Sequence, residues 1–131
     1  MADGDVQFPD PRLWAVRGAT TVASNDGDAI ITATEELMGE LIARNGLEPA
    51  RIVSCVFTVT HDLNAEFPAV AARNLGLEAV PLLCASEIDV PGSMRSVIRA
   101  LVHYYAPAAH EPSHTYLGDA QKLRSDLHAA Q

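Results

Sequence analysis

The chain has 131 residues, 48% of them apolar, and a formal net charge of −8. One domain of this size buries roughly two thirds of its unfolded surface, so it needs neither disulfides nor a structural metal to fold. The composition excludes a disordered chain, the lack of an apolar run of about 18 residues excludes a membrane-spanning helix, and the acidic balance argues against nucleic acid as a partner.

In chain order, Met1-Ala2-Asp3-Gly4-Asp5 lacks the basic start and apolar core of a signal peptide, so the cytoplasm is the expected location. Residues 1–12, with Pro9 and Pro11, read as a flexible extension to a single domain over 13–131. Leu13 to Gly18 predicts a short strand and 19–25 a loop, with Asp26 or Asp28 able to cap the next element. Over 28–45, Ile30, Ile31, Thr34, Leu37, Met38, Leu41 and Ile42 recur at helical spacing, and Asn45-Gly46 supplies the stop. Ile52 to Thr60 is rich in β-branched residues and predicts a strand in the sheet interior. A polar loop at 61–64 leads to a short helix from Phe67-Pro68 to about Leu75.

Residues 79–84 predict a third strand, which Pro81 places at an edge or bulge. Residues 93–105 carry Met94, Val97, Ile98, Leu101, Val102 and Tyr105 at helical spacing and predict a third helix. Ser113 to Leu117 predicts a last strand, and the tail from 118 onward shows little periodicity and reads as mobile. Strands alternating with helices indicate an α/β domain. Pattern alone does not choose between an open sheet and a closed barrel.

Common catalytic signatures are missing from the sequence. It has no Gly-rich phosphate loop and no nucleophile elbow. His110 and His114 have metal-like spacing, but Pro112 between them prevents one helical face. His61-Asp62 reads as a turn in a polar loop rather than an acid–base dyad. Cys55 and Cys84 form no C-x-x-C, and two free thiols in a reducing compartment is the plain reading. Eight of the nine basic residues are arginine, the side chain that grips planar anions with two bonds. By the predicted elements, Arg17, Cys84 and Glu87 fall near strand carboxyl ends, where α/β sheets collect ligands. Arg99 falls in the predicted third helix and Tyr116 in the last strand. Each of these residues also has an ordinary structural explanation, so they do not fix a function on their own.

The strings around them are more specific. Val16-Arg17-Gly18-Ala19-Thr20-Thr21-Val22, Thr60-His61-Asp62-Leu63-Asn64-Ala65-Glu66-Phe67-Pro68-Ala69, Val80-Pro81-Leu82-Leu83-Cys84, Glu87-Ile88-Asp89-Val90, Ile98-Arg99 and His114-x-Tyr116-Leu117 occur in order from about residue 14 to 127. Together they resemble the monofunctional, trimeric chorismate mutases of the AroH class. The resemblance implies a five-stranded mixed sheet packed with helices, and a homotrimeric pseudo-α/β-barrel with active sites at the subunit interfaces. It also implies a Claisen rearrangement of chorismate to prephenate, without cofactor, metal or covalent intermediate, on the route to phenylalanine and tyrosine.

By the same resemblance, Arg99 donates to the ether oxygen and a carboxylate of the substrate, and Arg17 binds a carboxylate. Glu87 accepts from the ring hydroxyl, beside Cys84, and Tyr116 faces the carboxylate region. Leu82 and Leu83 line the site. Phe67, Ala69 and Arg73 come from the neighbouring subunit, and Leu123 and Arg124 fold over the entrance. Val70 stands where some relatives have Lys, Leu83 where some have Thr, and Ser125 where the family tail often has Pro. A trimeric metabolite sensor would also keep Arg17 and Arg73, but has no need of Arg99 and Glu87 together.

Overall fold

Asp26 opens helix α1 (Gly27–Asn45) and Gly46 closes it. The Asp26 carboxylate accepts from the Ala29 amide at 3.0 Å, which satisfies one of the open amides of the first turn. Gly46 takes the left-handed conformation (φ 60°) that a side chain would resist. The structure, a computed structural model, describes residues 11–123.

Five strands, β1 (Pro11–Thr21), β2 (Ile52–Val59), β3 (Leu82–Ser86), β4 (Val97–Pro107) and β5 (Thr115–Tyr116), form one mixed sheet in the order β3-β2-β4-β1-β5. β4 runs antiparallel to β1 and β2, while β2–β3 and β1–β5 are parallel. Helix α2 (Ala69–Asn74) makes the β2-to-β3 crossover, the connection that parallel neighbours require. The fold is therefore the expected mixed sheet packed with helices.

The third helix expected over 93–105 is instead the central strand β4. Its neighbours cover both edges, and its burial runs along the whole strand, with Val97, Ile98, Ala100, Val102, Tyr104 and Ala106 all buried. Apolar residues on both faces of the strand, Val97, Leu101 and Tyr105 on one and Ile98 and Val102 on the other, satisfy helical spacing by accident. Arg99 therefore sits in the middle of the sheet, not on a helix. β1 is also longer than expected at both ends, since Pro11 pairs with Pro107 and Thr21 with Val97 along β4. Pro81 does precede an edge strand, and its carbonyl accepts the Cys55 amide at 3.0 Å. The first part of the tail forms a 3-10 turn (Gly118–Lys122), with Ala120 and Leu123 buried against Ala19, Val97 and Tyr116.

One sheet face carries the main core: Val16, Cys55, Phe57, Ala100, Val102 and Tyr104 against Leu37, Met38 and Leu41 of α1. Gly18 lies on this face. A Cβ there would stand 2.9 Å from the Leu37 and Leu41 methyls and 3.0 Å from the Thr115 carbonyl oxygen. The glycine next to Arg17 is thus what lets α1 and β5 close over β1. The other face carries the polar residues.

Candidate active site

Strand alternation and register assemble this second face. Arg17 lies opposite Leu101, and Ala19 opposite Arg99. Arg99 also pairs with Thr58, and Tyr116 lies beside Ala19. Arg17, Thr58, Arg99 and Tyr116, with Val56 and Leu101, line one concavity of about 200 Å3. Contributions come from β1, β2, β4 and β5, residues separated by up to a hundred positions in the chain.

Glu87 reaches the same place from the end of β3. Its amide donates to the Val59 carbonyl at 2.9 Å, extending the β2–β3 pairing by one residue. Its Oε2 accepts from Thr58 Oγ1 at 2.6 Å and from Arg99 Nε at 2.8 Å. The Arg99 side chain is 40% exposed, so this pair adds little to stability. Its effect is geometric: with Nε tied to a fixed carboxylate, the plane of the guanidinium is set and both Nη groups remain for a ligand.

The structure therefore brings Arg17, Glu87, Arg99 and Tyr116 together within one chain: Glu87 follows the carboxyl end of β3 and Tyr116 lies in the last strand, as expected, whereas Arg17 sits within β1 rather than at its end and Arg99 within β4 rather than on a helix. Cys84 pairs with Phe57 and turns to the helix-covered face, as does Leu82, which pairs with Cys55. Leu83 is on the open face and 63% exposed. Cys84 and Phe67 border a separate concavity of about 320 Å3. Ala69, the first residue of α2, is buried, while Arg73 of the same helix is exposed. Leu123 packs against Tyr116, and Arg124 lies outside the described residues.

Thr58 was not anticipated. Its signal in the sequence is a hydroxyl in an otherwise apolar strand, two residues after Val56 and thus on the same face. Asp62 turns out to be a clamp. Its carboxylate accepts from the Ser96 amide at 3.1 Å and from Ser96 Oγ at 3.0 Å, and Ser96 holds a left-handed backbone, φ 60°. That bend delivers the chain into β4 immediately before Arg99. Partial burial raises the Asp62 pKa, but hydrogen bonds from Thr60 and Ser96 outweigh it, and the carboxyl lies below its ordinary value.

Among the described residues the cleft contains cationic and hydrogen-bonding groups but no nucleophile poised by a base. Cys55 lies in the core, where burial and then Cys84 push its thiol up to about 12, so it is a poor nucleophile. His110 and His114 have different partners: His110 Nε2 meets the Tyr104 hydroxyl at 2.6 Å, and His114 Nδ1 accepts the Arg17 amide at 3.0 Å. Among the described residues no group of three or more His, Cys, Asp or Glu is placed to hold a metal ion, and no helix is long and apolar enough to cross a membrane.

A mixed α+β sheet thus presents two guanidinium groups, a phenol and one carboxylate around an open cleft, a set of groups suited to a small anionic ligand. Residues 13–127 match the family model described as chorismate mutase type I. A chorismate mutase AroH of Thermus thermophilus is 42% identical over 118 residues, covering 88% of this chain and 97% of that protein. The corresponding AroH protein of Bacillus subtilis is 35% identical over 117 residues, covering 88% and 92%. The solved chorismate mutase from Clostridium thermocellum superposes with a TM-score of 0.79 at 46% identity, covering 84% of this chain and 99% of that one. The chain belongs to the type I chorismate mutase family and is an isomerase.

Proposed function

We propose that the chain rearranges chorismate to prephenate by restraint and fixed charge, with Arg17, Glu87 and Arg99 as the residues that act on the substrate. The observation that carries this reading is the Thr58–Glu87–Arg99 chain of hydrogen bonds across the cleft that Arg17 and Tyr116 complete. A pericyclic step moves no proton to the protein. The ether C–O bond breaks as the new C–C bond forms, and the ether oxygen gains negative charge on the way. What the protein must supply is a folded enolpyruvyl chain and positive charge already in place.

Arg99 supplies that charge to the ether oxygen through its Nη groups. Arg17 and Tyr116 hold a carboxylate. Glu87 has Oε2 engaged by two donors, which leaves Oε1 to accept from the ring hydroxyl. Of the β3 residues, Leu83 faces the open side and belongs to the site edge, whereas Cys84 and Leu82 face the helices. Leu123 already packs on Tyr116, which supports a role for Leu123 at the cleft edge; a role for Arg124 rests on the family resemblance.

Within one chain the cleft is open on one side, and Leu13, Leu83 and Tyr105 leave its face about half exposed or more. In our reading three copies bury these faces as a pseudo-barrel, and Phe67, Ala69 and Arg73 of a neighbour form the opposite wall. Phe67 is 66% exposed in the single chain, as an interface residue would be. A cytoplasmic enzyme on the route to phenylalanine and tyrosine completes the reading.

The test is the decay of chorismate absorbance in the presence of the protein, with light scattering on the same sample. A trimer is expected, and Arg99→Ala is expected to lower kcat by about 10²–10³, the usual loss for one such donor. A change under about threefold would discard Arg99 as the electrostatic catalyst, since that is within the loss of an ordinary contact. An active monomer would discard the shared site.

A further inference from the structure

Strand β5 has only two residues, yet it carries Tyr116 and borders Arg17. Gly18 pairs with Thr115 and Ala19 with Tyr116, and the Leu117 amide donates to the Ala19 carbonyl at 2.9 Å. In a parallel ladder of this register, the next acceptor, for the Arg17 amide, is the Ser113 carbonyl. That carbonyl is turned away to α1, where it accepts from Asn45 Nδ2 at 3.0 Å, while Asn45 Oδ1 takes the Ser113 amide at 2.7 Å. The Arg17 amide donates instead to His114 Nδ1 at 3.0 Å.

We infer that His114 is a positioning residue for Arg17: its neutral imidazole replaces the missing backbone carbonyl and holds the β1 backbone at the height that seats the Arg17 guanidinium in the cleft. The inference rests on the proposed contact between Arg17 and a substrate carboxylate. It requires the tautomer with the proton on Nε2, because Nδ1 must accept. A proton on Nδ1 would set one N–H against another and place a second cation beside Arg17.

Among the described residues, the charge set against the ring is that of Arg17 on β1. From α1 comes the neutral Asn45, and the charged residues of that helix end, Glu40 and Arg44, are paired with each other at 3.0 Å. Asp119 and Lys122 of the 3-10 turn lie by Thr21, further along β1. Burial and the Arg17 charge both hold the His114 pKa below its ordinary 6.5. The folded chain thus favours the neutral ring. The support it gives Arg17 is complete above the ordinary imidazole pKa and is lost as the pH falls through the lowered value.

Three proteins separate this role from a merely structural one: wild type, His114→Asn, whose Oδ1 stands where Nδ1 stood, and His114→Phe, which keeps bulk and loses the acceptor. KM and kcat for chorismate are measured from about pH 5 to pH 8, a range that spans imidazole titration. The Arg17 amide resonance is followed over the same range without substrate. His114→Phe is expected to raise KM about tenfold at every pH with a smaller change in kcat, the scale of one lost hydrogen bond to a binding group. His114→Asn is expected to recover most of that KM and to lack the acid rise in KM that wild type shows. The Arg17 amide should shift with pH in wild type and stay flat in His114→Asn.

An Arg17 amide that ignores pH in wild type, or an acid rise in KM that persists in His114→Asn, overturns the positioning role. An amide that follows the ring while KM is unchanged in all three proteins upholds the positioning of Arg17 and rejects its contact with substrate instead.

Discussion

The two faces of the sheet are built from the same strands, residue by alternate residue, and do different work. On the helix side, Val16, Phe57, Ala100 and Val102 meet Leu37, Met38 and Leu41 with almost no exposure. On the open side, Arg17, Thr58 and Arg99 keep partial exposure, and hydrogen bonds order the Thr58 and Arg99 side chains and the Arg17 backbone. A buried apolar face tolerates no polar group without a partner, so it fixes the fold and leaves chemistry to the other. An open face can hold charges without the desolvation penalty, provided something else orients them. Here Glu87 orients Arg99, and His114 supports the Arg17 backbone.

The division can be broken from either side. The largest effect belongs to the helix face. Leu41→Ala removes a fully buried side chain packed at Gly18 and is expected to cost about 3 kcal/mol of stability, read by denaturant titration. The kcat of the folded fraction should stay near wild type. A loss of kcat without a loss of stability would mean that the faces are not separable.

The open face gives the reciprocal case. Thr58→Val keeps the shape and deletes the donor to Glu87. It is expected to lower kcat/KM about tenfold, since a hydrogen bond to a charged group contributes about 1.5–3 kcal/mol and Arg99 still holds the carboxylate. The unfolding midpoint should hardly move. An unchanged kcat/KM would show that Arg99 needs no help from β2.

The smallest effect concerns the loop joining the two faces. The Asp62 carboxyl lies below its ordinary 3.8. Its contribution to stability is therefore full above that ordinary value and fades as the pH falls through the lowered one. Asp62→Asn should flatten this acid limb of the stability curve, with under about 1 kcal/mol lost at neutral pH because the site is mostly solvated. An acid limb as steep as wild type would assign it to other carboxyls.

Much was legible along the chain. Asp26, the apolar stripe of α1 and Gly46 are local signals, and each appears where it was expected. So does the interior strand β2, whose β-branched run needs no partner to be recognised. Glu87 and Arg99 were legible as a pair from ordered motifs, though not as touching groups. The reading failed at β4, because Met94, Val97, Ile98, Leu101, Val102 and Tyr105 fit a helix as well as a strand with apolar residues on both faces. Local spacing carries no information on what covers the second side.

The sequence by itself determined the limits of α1, the interior strand β2, and the ordered motifs that carry the family. Only the tertiary structure decided that residues 97–107 are a strand between β1 and β2, and hence that Arg99 faces Glu87, Thr58 and Arg17. It also decided that Asn45 draws Ser113 off the ladder and leaves His114 to meet Arg17. The physical reason is the same in both cases. A backbone hydrogen bond is satisfied by whichever partner the fold delivers, and that partner is far away in the chain.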